Sequence, residues 1–202
     1  MSGLRMKKNP IEIFNSCGGQ LRMTDAVKHG ITRYMLYSLR DKKIIEQISR
    51  GTYRLVALPP ISSPDLVTVA LRFPNAVVCL VSALVYHDIT TQIPHAVSIA
   101  VPRDSRLPSL DYPPIKAHRF SKKGYESGII EHRIDGVSVK IYSPEKTIAD
   151  CFKFRNKIGI DVALEALKLY RSRKKFDSIA LVKYARICRV DNIMRPYLES
   201  LL

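Results

Sequence analysis

The sequence predicts an α+β protein made of two small domains, and three observations support this class. Its 202 residues suffice for one large or two small domains, since domains usually run to about 100–150 residues. A composition of 46% hydrophobic and 25% charged residues is typical of globular proteins. Helix-like and strand-like segments alternate along the chain, and the proline-rich residues 58–64 separate two groups of them. We therefore expect domains over residues 1–58 and 64–202, joined by a linker at 59–63.

The first domain is predicted to begin with two short helices. Ile11, Ile13 and Phe14 open a helix that ends at the turn Cys17-Gly18-Gly19. A second helix of about two turns follows, with Thr24 as its expected cap and a glycine closing it.

A third, amphipathic helix is predicted over residues 33–43, with Thr32 as its cap. At 100° per residue, its apolar face carries Met35, Leu36 and Leu39. The opposite face is polar and aromatic, and it is formed by Arg33, Tyr34, Tyr37, Ser38 and Asp41, with Arg40 and Lys42 at its borders. This helix therefore offers a row of hydrogen-bonding side chains.

Two β-prone runs, residues 44–48 and 52–56, flank the turn Ser49-Arg50-Gly51 and predict a hairpin. Three helices followed by a hairpin is the order of a winged helix-turn-helix, in which the third helix enters the DNA major groove. We expect base contacts from that helix and phosphate contacts from the wing. The predicted helix contacts are Thr32, Arg33, Tyr34, Tyr37, Ser38, Arg40 and Lys42, and the predicted wing contacts are Arg50, Thr52 and Arg54. Two alternatives stay open: the tyrosines could pack against the second domain, and a winged helix can also bind protein.

The second domain is predicted to contain a small mixed sheet. A helix over residues 65–72 follows Ser63 as its cap and Pro64 at its first position. Periodicity does not distinguish strand from helix over residues 76–87. We expect a short strand at 77–80 that leads into a helix at 82–86. The remaining strands are predicted at 96–101, 115–120, 128–134 and 137–142, the last two flanking the hairpin turn Asp135-Gly136.

Helices are predicted to fill the end of the chain. Ser143-Pro144-Glu145 carries a cap, a proline at the first position and an acidic residue near the positive end of the helix dipole. A second helix is expected over residues 160–170, and Asp177 caps a third.

Positive charge is concentrated at the two ends of the chain. The protein has 33 Lys+Arg against 18 Asp+Glu, a net charge of +15. By count, residues 1–60 and 151–202 each carry +7, whereas residues 61–150 carry +1. Such a distribution indicates a surface for a polyanion. The basic residues of the C-terminal segment that we expect on this surface are Lys168, Arg171, Arg173, Lys174, Lys175, Lys183, Arg186 and Arg189.

Three readings of that C-terminal charge remain open. Lys183, Arg186 and Arg189 recur every third residue and form a stripe on one predicted helix. The stripe could follow a phosphate backbone or bind an acidic protein, although a solvated helix face is the commoner case.

No pattern in the sequence predicts catalysis, a metal or a cofactor. The cysteines at 17, 79, 151 and 188 are too widely spaced for a zinc knuckle or a redox motif, which favours reduced cysteines in a cytoplasmic protein. None of the common hydrolase, nucleotide-binding or zinc motifs occurs. The longest apolar run, residues 76–86, is shorter than the roughly 20 residues that span a bilayer, so no membrane contact is expected.

Several segments together resemble the AbiEi-type antitoxins of bacterial type IV toxin–antitoxin systems. In the first domain these are Gly18-Gly-Gln-Leu-Arg-Met-Thr-Asp-Ala, Gly30-Ile-Thr-Arg-Tyr-Met-Leu-Tyr-Ser-Leu and Ile48-Ser-Arg-Gly-Thr-Tyr-Arg-Leu. In the second they are residues 73–78 and 81–87, Val97-Ser-Ile-Ala-Val-Pro-Arg103, and Val139-Lys-Ile-Tyr-Ser-Pro-Glu-Lys-Thr-Ile-Ala-Asp150. Tyr34 and Tyr37 are bulkier than the small or basic residues expected in that family, so its operator sequence does not transfer.

The resemblance implies a repressor and antitoxin. Such a protein binds inverted repeats in its own double-stranded operator, and it counteracts a nucleotidyltransferase-like toxin in phage abortive infection. It would be cytoplasmic and associated with the nucleoid when bound to DNA. The resemblance also implies that repression needs the winged helix, whereas toxin neutralisation needs the C-terminal domain.

Two other classes of function compete with this one. A winged-helix regulator could sense a small-molecule effector in its C-terminal domain. A nuclease, or an RNA-associated nuclease accessory, has only the positive charge in its favour.

Overall fold

The computed structural model describes residues 9–59 and 61–200, and its contacts divide the chain into two units. Unit 1 comprises the described residues up to Pro74 together with Arg133–Val139. Unit 2 comprises Asn75–His132 and the described residues from Lys140 onward. The predicted α+β class is confirmed. The independent domains expected over residues 1–58 and 64–202 remain a prediction, because unit 1 also gathers residues from beyond the expected linker.

Unit 1 has the element order of a winged helix-turn-helix, as predicted. Its elements are α1 (Pro10–Ser16), β1 (Gln20–Arg22), α2 (Met23–Lys28), α3 (Arg33–Asp41), β2 (Ile45–Ser49), β3 (Thr52–Leu55) and α4 (Pro64–Arg72). The three strands form an antiparallel sheet in the order β1-β3-β2. Beneath it lies a small apolar core that includes Phe14, Ile31 and Leu36, each with no exposed surface.

The start of α2 differs from the prediction. Thr24 is not its cap, since Met23 is already helical and Arg22 occupies the cap position without a side-chain hydrogen bond to the helix. Arg22 instead pairs with Asp25, with Nε and Oδ2 2.8 Å apart. Strand β1, which pairs Leu21 with Tyr53, was not predicted because three residues are too few to show alternation.

Unit 2 contains the second sheet and most of the helices. Its elements are β4 (Val77–Val78), α5 (Leu80–Tyr86), β5 (Val97–Pro102), β6 (Ile115–Phe120), α6 (Lys122–Glu126), β7 (Ile129–Ile134), β8 (Val137–Tyr142), α7 (Pro144–Lys153), α8 (Arg155–Ile158), α9 (Ile160–Arg171), α10 (Ser178–Cys188) and α11 (Asp191–Glu199). Arg133–Val139, which comprise the end of β7, the hairpin turn and the start of β8, group with unit 1. The sheet order is β6-β5-β4-β8-β7, with parallel β5/β6 and β4/β8 pairs and an antiparallel β4/β5 pair. The predicted mixed sheet is therefore confirmed, whereas α6, α8 and α11 were not predicted.

Local sequence explains the helix starts and the hairpin of this sheet. Ser143 Oγ accepts a hydrogen bond from the backbone N–H of Lys146, and Asp177 Oδ1 accepts one from Ala180. Asp135 and Gly136 both have positive φ, +47° and +82°, as the predicted turn requires. Ser63, by contrast, precedes α4 without a side-chain cap hydrogen bond.

A buried ion pair lies in the core of unit 2. Lys146 and Asp150 stand one turn apart on α7, both without exposed surface, and the Lys146 ammonium hydrogen-bonds to the Asp150 carboxylate. The ammonium also lies 4.2 Å from the centre of the Tyr142 ring. Burial raises the pKa of the Asp150 carboxyl, and the nearby lysine opposes that shift. The Lys146 and Asp150 side chains of the Ser143–Asp150 motif therefore belong to the core of unit 2.

Candidate nucleic-acid interface

Helix α3 is held in place by its cap and by its apolar face. Thr32 Oγ1 accepts a hydrogen bond from the Met35 N–H at 3.2 Å, as predicted. Leu36 is completely buried in the core of unit 1, and Met35 and Leu39 pack against it in part. With its inner face fixed in this way, the helix presents its other face outward.

The outward face of α3 carries nearly all of the predicted helix contacts. Ser38 is half-buried, while the other predicted residues are exposed: Thr32, Arg33, Tyr34, Tyr37, Arg40 and Lys42. Tyr34 is 82% exposed and Tyr37 is 40% exposed. Each ring carries a hydroxyl at the end of an apolar body, so these two exposed tyrosines can pack against an external ligand and hydrogen-bond to it.

Arg40 is oriented by two neighbours on the same helix. Its guanidinium lies 5.2 Å from the centre of the Tyr37 ring. Its Nε and Nη2 both donate to Asp41 Oδ1, at 3.1 and 2.9 Å. These hydrogen bonds raise the pKa of the already cationic arginine.

Of the three wing residues predicted to contact DNA, one is exposed and two are buried. Arg50 is exposed at the turn between β2 and β3. Thr52 and Arg54 are 1% and 4% exposed, so the prediction that they touch phosphates is contradicted. Arg54 pairs with Glu46 at 3.2 Å, and its guanidinium donates to the carbonyl of Pro59. The arginine was mistaken for a surface residue because β3 is the central strand of its sheet and is buried along its whole length.

A groove of about 430 Å³ lies between α3 and the wing. It is lined by Met23, Tyr37, Arg40, Gln47, Arg50, Gly51 and Tyr53. The Tyr53 residue as a whole is only 2% exposed, and burial raises the pKa of its hydroxyl. Gln47 and Tyr53 were not predicted as site residues, although the two-residue alternation of β2 and β3 places both on one face of the sheet.

The basic residues predicted at the C-terminal end are all exposed in unit 2: Lys168, Arg171, Arg173, Lys174, Lys175, Lys183, Arg186 and Arg189. Lys183 and Arg186 lie on α10, and Arg189 follows its end in a left-handed conformation with φ +60°. Arg173 is partly engaged, with Nη2 3.5 Å from the Asp88 carboxylate. The structure thus gives unit 2 an exposed cationic surface.

Residues of types that could hold a metal do not cluster in the part of the chain that the structure describes. Within residues 9–59 and 61–200, no three His, Cys, Asp or Glu residues come together at metal-binding distance. His87 Nε2 is 2.7 Å from the carbonyl oxygen of Tyr142, and burial lowers the pKa of the imidazole. Among the described helices, none is both long and apolar enough to cross a membrane.

Comparison with known proteins agrees with the geometry of unit 1. Residues 12–56 match the family model described as transcriptional regulator, AbiEi antitoxin. The match begins in α1, ends just after β3, and confirms over that segment the resemblance seen in the sequence. No curated protein matched the chain. The crystal structure of the RV2827C protein from Mycobacterium tuberculosis superposes with a TM-score of 0.48 at 12% identity, over 94% of this chain and 80% of that one.

The family match and the exposed face of α3 support a DNA-binding antitoxin regulator. The matching family is one of transcriptional regulators, and the winged helix that carries the match is the segment from which DNA binding is expected.

Proposed function

We propose that this chain is a transcriptional autorepressor and the antitoxin of a type IV toxin–antitoxin system. It binds inverted repeats in its own operator in the cytoplasm and associates there with the nucleoid. Its counterpart is a nucleotidyltransferase-like toxin, and the physiological setting is phage abortive infection. The observation that carries the DNA-binding part is the exposed α3 face, which lies within the segment matching the antitoxin regulator family.

Base reading is assigned to the start of α3. In helix-turn-helix proteins, residues at the N-terminal end of the recognition helix contact base edges. Arg33 and Tyr34 hold those positions here, and Tyr37 follows one turn after Arg33. Arginine can donate two hydrogen bonds to guanine, and an aromatic ring can pack on a thymine methyl group.

Unit 2 is proposed to extend the footprint and to carry the antitoxin activity. Its exposed cationic residues include Lys183 and Arg186, which lie three residues apart on α10. Each phosphate contact that they make would release condensed counterions and add to affinity.

The test of base reading is a gel-shift assay with the full chain. It uses a duplex spanning the inverted repeats upstream of the chain's own coding sequence and a scrambled duplex of the same composition. Arg33→Ala/Tyr37→Ala is expected to lose its preference for the operator while its melting temperature stays near that of the wild type. Unchanged discrimination between the duplexes would show that α3 does not read the operator.

The antitoxin part is tested by co-expression with the neighbouring toxin gene. Reversing the charge at Lys183 and Arg186 is expected to weaken DNA binding if these side chains follow the duplex. Impaired toxin rescue with normal DNA binding would instead assign the stripe to an acidic partner. A variant that is normal in both assays and in melting temperature would make the stripe a solvated face.

A further inference from the structure

The groove between α3 and the wing is lined by side chains that base reading by the start of α3 does not require. Arg40 and Arg50 come from its two sides, one from the recognition helix and one from the hairpin turn. Tyr37 and Tyr53 also line the groove. Each of these rings carries a hydroxyl group that can form hydrogen bonds. Among the described residues, those that line the groove include no acidic side chain, and Asp41 contacts Arg40 from outside the lining. The lining therefore combines cationic and hydrogen-bonding groups.

The position of Arg40 on α3 argues against base reading. It lies seven residues after Arg33, which corresponds to about 10 Å along the helix axis at 1.5 Å per residue. Base contacts come from the opposite, N-terminal end of a recognition helix. A side chain this far along the helix and beside the wing is placed for the DNA backbone.

Two contacts on its own helix orient the guanidinium of Arg40. Asp41 takes the Nε and Nη2 hydrogens through a single carboxylate oxygen, and the Tyr37 ring lies under the same group. Arginine has five N–H donors, so the edge formed by Nη1 and Nη2 still has donors for a second anion. Phosphate oxygens match that planar edge, so the remaining donors can bind a backbone phosphate beside the wing.

We propose that this groove is a clamp for a single backbone phosphate of double-stranded DNA, closed from opposite sides by Arg40 and Arg50. The groove has a volume of about 430 Å³ and receives one arginine from α3 and one from the hairpin turn. Asp41 is a positioning residue that orients Arg40. The clamp rests on the proposed DNA-binding function and changes the role of Arg40 from base reader to phosphate anchor.

If both arginines hold one phosphate, the salt dependence of DNA affinity should change by a predictable amount in the variants. The slope of log affinity against log salt counts neutralised phosphates, at roughly 0.9 per contact on B-form DNA. If Arg40 and Arg50 hold one phosphate, Arg40→Ala/Arg50→Ala should make the slope shallower by about one in total. Arginines on separate phosphates would together remove about two.

The experiment measures this slope by fluorescence anisotropy with the full chain on an operator duplex that carries a single half-site of the inverted repeats, so that one copy of the chain binds, and on a scrambled duplex of the same length. The variants are Arg40→Ala, Arg50→Ala and their combination, and Arg72→Ala is the matched control because it removes an exposed arginine of unit 1 outside the groove. The combined variant is expected to lose about one unit of slope and to keep the wild-type ratio of operator to scrambled affinity. Arg40→Lys/Arg50→Lys should recover part of the affinity, and melting temperatures verify that every variant is folded.

A second readout identifies the phosphate itself. Half-site duplexes carrying one uncharged methylphosphonate at each position in turn are bound to the wild type and to the combined variant. We expect one position at which neutralisation weakens the wild type and leaves the combined variant unaffected. A loss of about two units of slope, with two such positions, would overturn the clamp in favour of separate contacts.

The remaining outcomes are equally decisive. A changed base preference in Arg40→Ala, or an unchanged slope in the combined variant, overturns the clamp while wild-type operator binding leaves the proposed function standing. A wild-type chain that binds neither duplex overturns the proposed function and the clamp with it.

Discussion

Two hairpins of this protein turn on a glycine with positive φ, yet their tips have opposite surroundings. Gly51 in the wing has φ +73°, and a Cβ added there would meet no atom within 4 Å. Gly136 in the β7–β8 hairpin has φ +82°, and a Cβ there would lie 2.5 Å from the backbone oxygen of Gly18. One tip is open to a ligand, whereas the other is enclosed by its own unit.

Hydrogen bonds reinforce the enclosed tip. The Asp135 carboxylate accepts from both the N–H and the hydroxyl of Ser62 at 2.9 Å. Gln20 Nε2 donates to the Asp135 carbonyl at 2.9 Å. Turn chemistry thus predicts where a hairpin bends, whereas the neighbours of its tip decide whether that tip is open to solvent or enclosed by the fold.

The largest effect is expected at the enclosed tip. Gly136→Ala combines a positive φ with a clash against backbone, so it should lower the free energy of unfolding by about 2–5 kcal/mol. Urea denaturation of the full chain provides the measurement. A loss below about 1 kcal/mol would mean that the backbone shifts to accept the methyl group, and that the tip is not locked.

Gly18→Ala supplies a check on this interpretation. Its Cβ would lie 2.4 Å from the Gly136 backbone oxygen, so the same contact is disturbed from the other side. We expect a loss of similar size for Gly18→Ala, and a double variant whose loss is smaller than the sum of the two.

The sequence predicted each kind of hairpin but not the role of its residues. The Asp135-Gly136 turn, the Thr32 cap and the strand at Ile115–Phe120 follow from local rules, and the structure confirms them. Arg54 was placed at the surface because its neighbours in sequence gave no sign that β3 is the central strand. That information resides in β1, which is too short to be recognised before the fold is known.

The site was predictable to the same degree. The exposed face of α3 follows from helical periodicity, so the exposure of Arg33, Tyr34 and Tyr37 was predictable, and their contact with DNA stays a prediction. The groove was not found, because Tyr53 and Gln47 join Arg40 only when the wing packs beside the helix. Contacts between distant segments leave no trace in local periodicity.

A second variant tests the buried wing arginine. Arg54→Ala removes the pair with Glu46 and the donation to the Pro59 carbonyl, and it leaves a space where the buried stem packed. We expect a loss of about 1–3 kcal/mol in the free energy of unfolding and an unchanged salt dependence of DNA binding. A shallower salt slope in folded Arg54→Ala would return this residue to the interface.

The open wing tip should tolerate substitution better than the enclosed one. Gly51→Ala pays for a left-handed conformation but meets no neighbour, so a loss of about 1–2 kcal/mol is expected. Gly51→Asn should cost less, because asparagine adopts this conformation more readily than alanine. If Gly51→Ala destabilised the protein as much as Gly136→Ala, positive φ alone would explain both and the contrast between the tips would fail.

The smallest effect on stability is expected for Arg50→Ala. The side chain is exposed beside an open glycine, so the free energy of unfolding should change by less than about 0.5 kcal/mol. Its loss should nevertheless weaken binding to operator and scrambled duplexes alike and reduce the salt slope by up to about one unit, because phosphate contacts carry no base information. Arg50 and Arg54 lie four residues apart in the same hairpin. We expect Arg50→Ala to change DNA binding alone and Arg54→Ala to change the free energy of unfolding alone. If Arg50→Ala destabilised the fold, or left the affinity for both duplexes unchanged, the wing would be a structural hairpin like the one at Gly136.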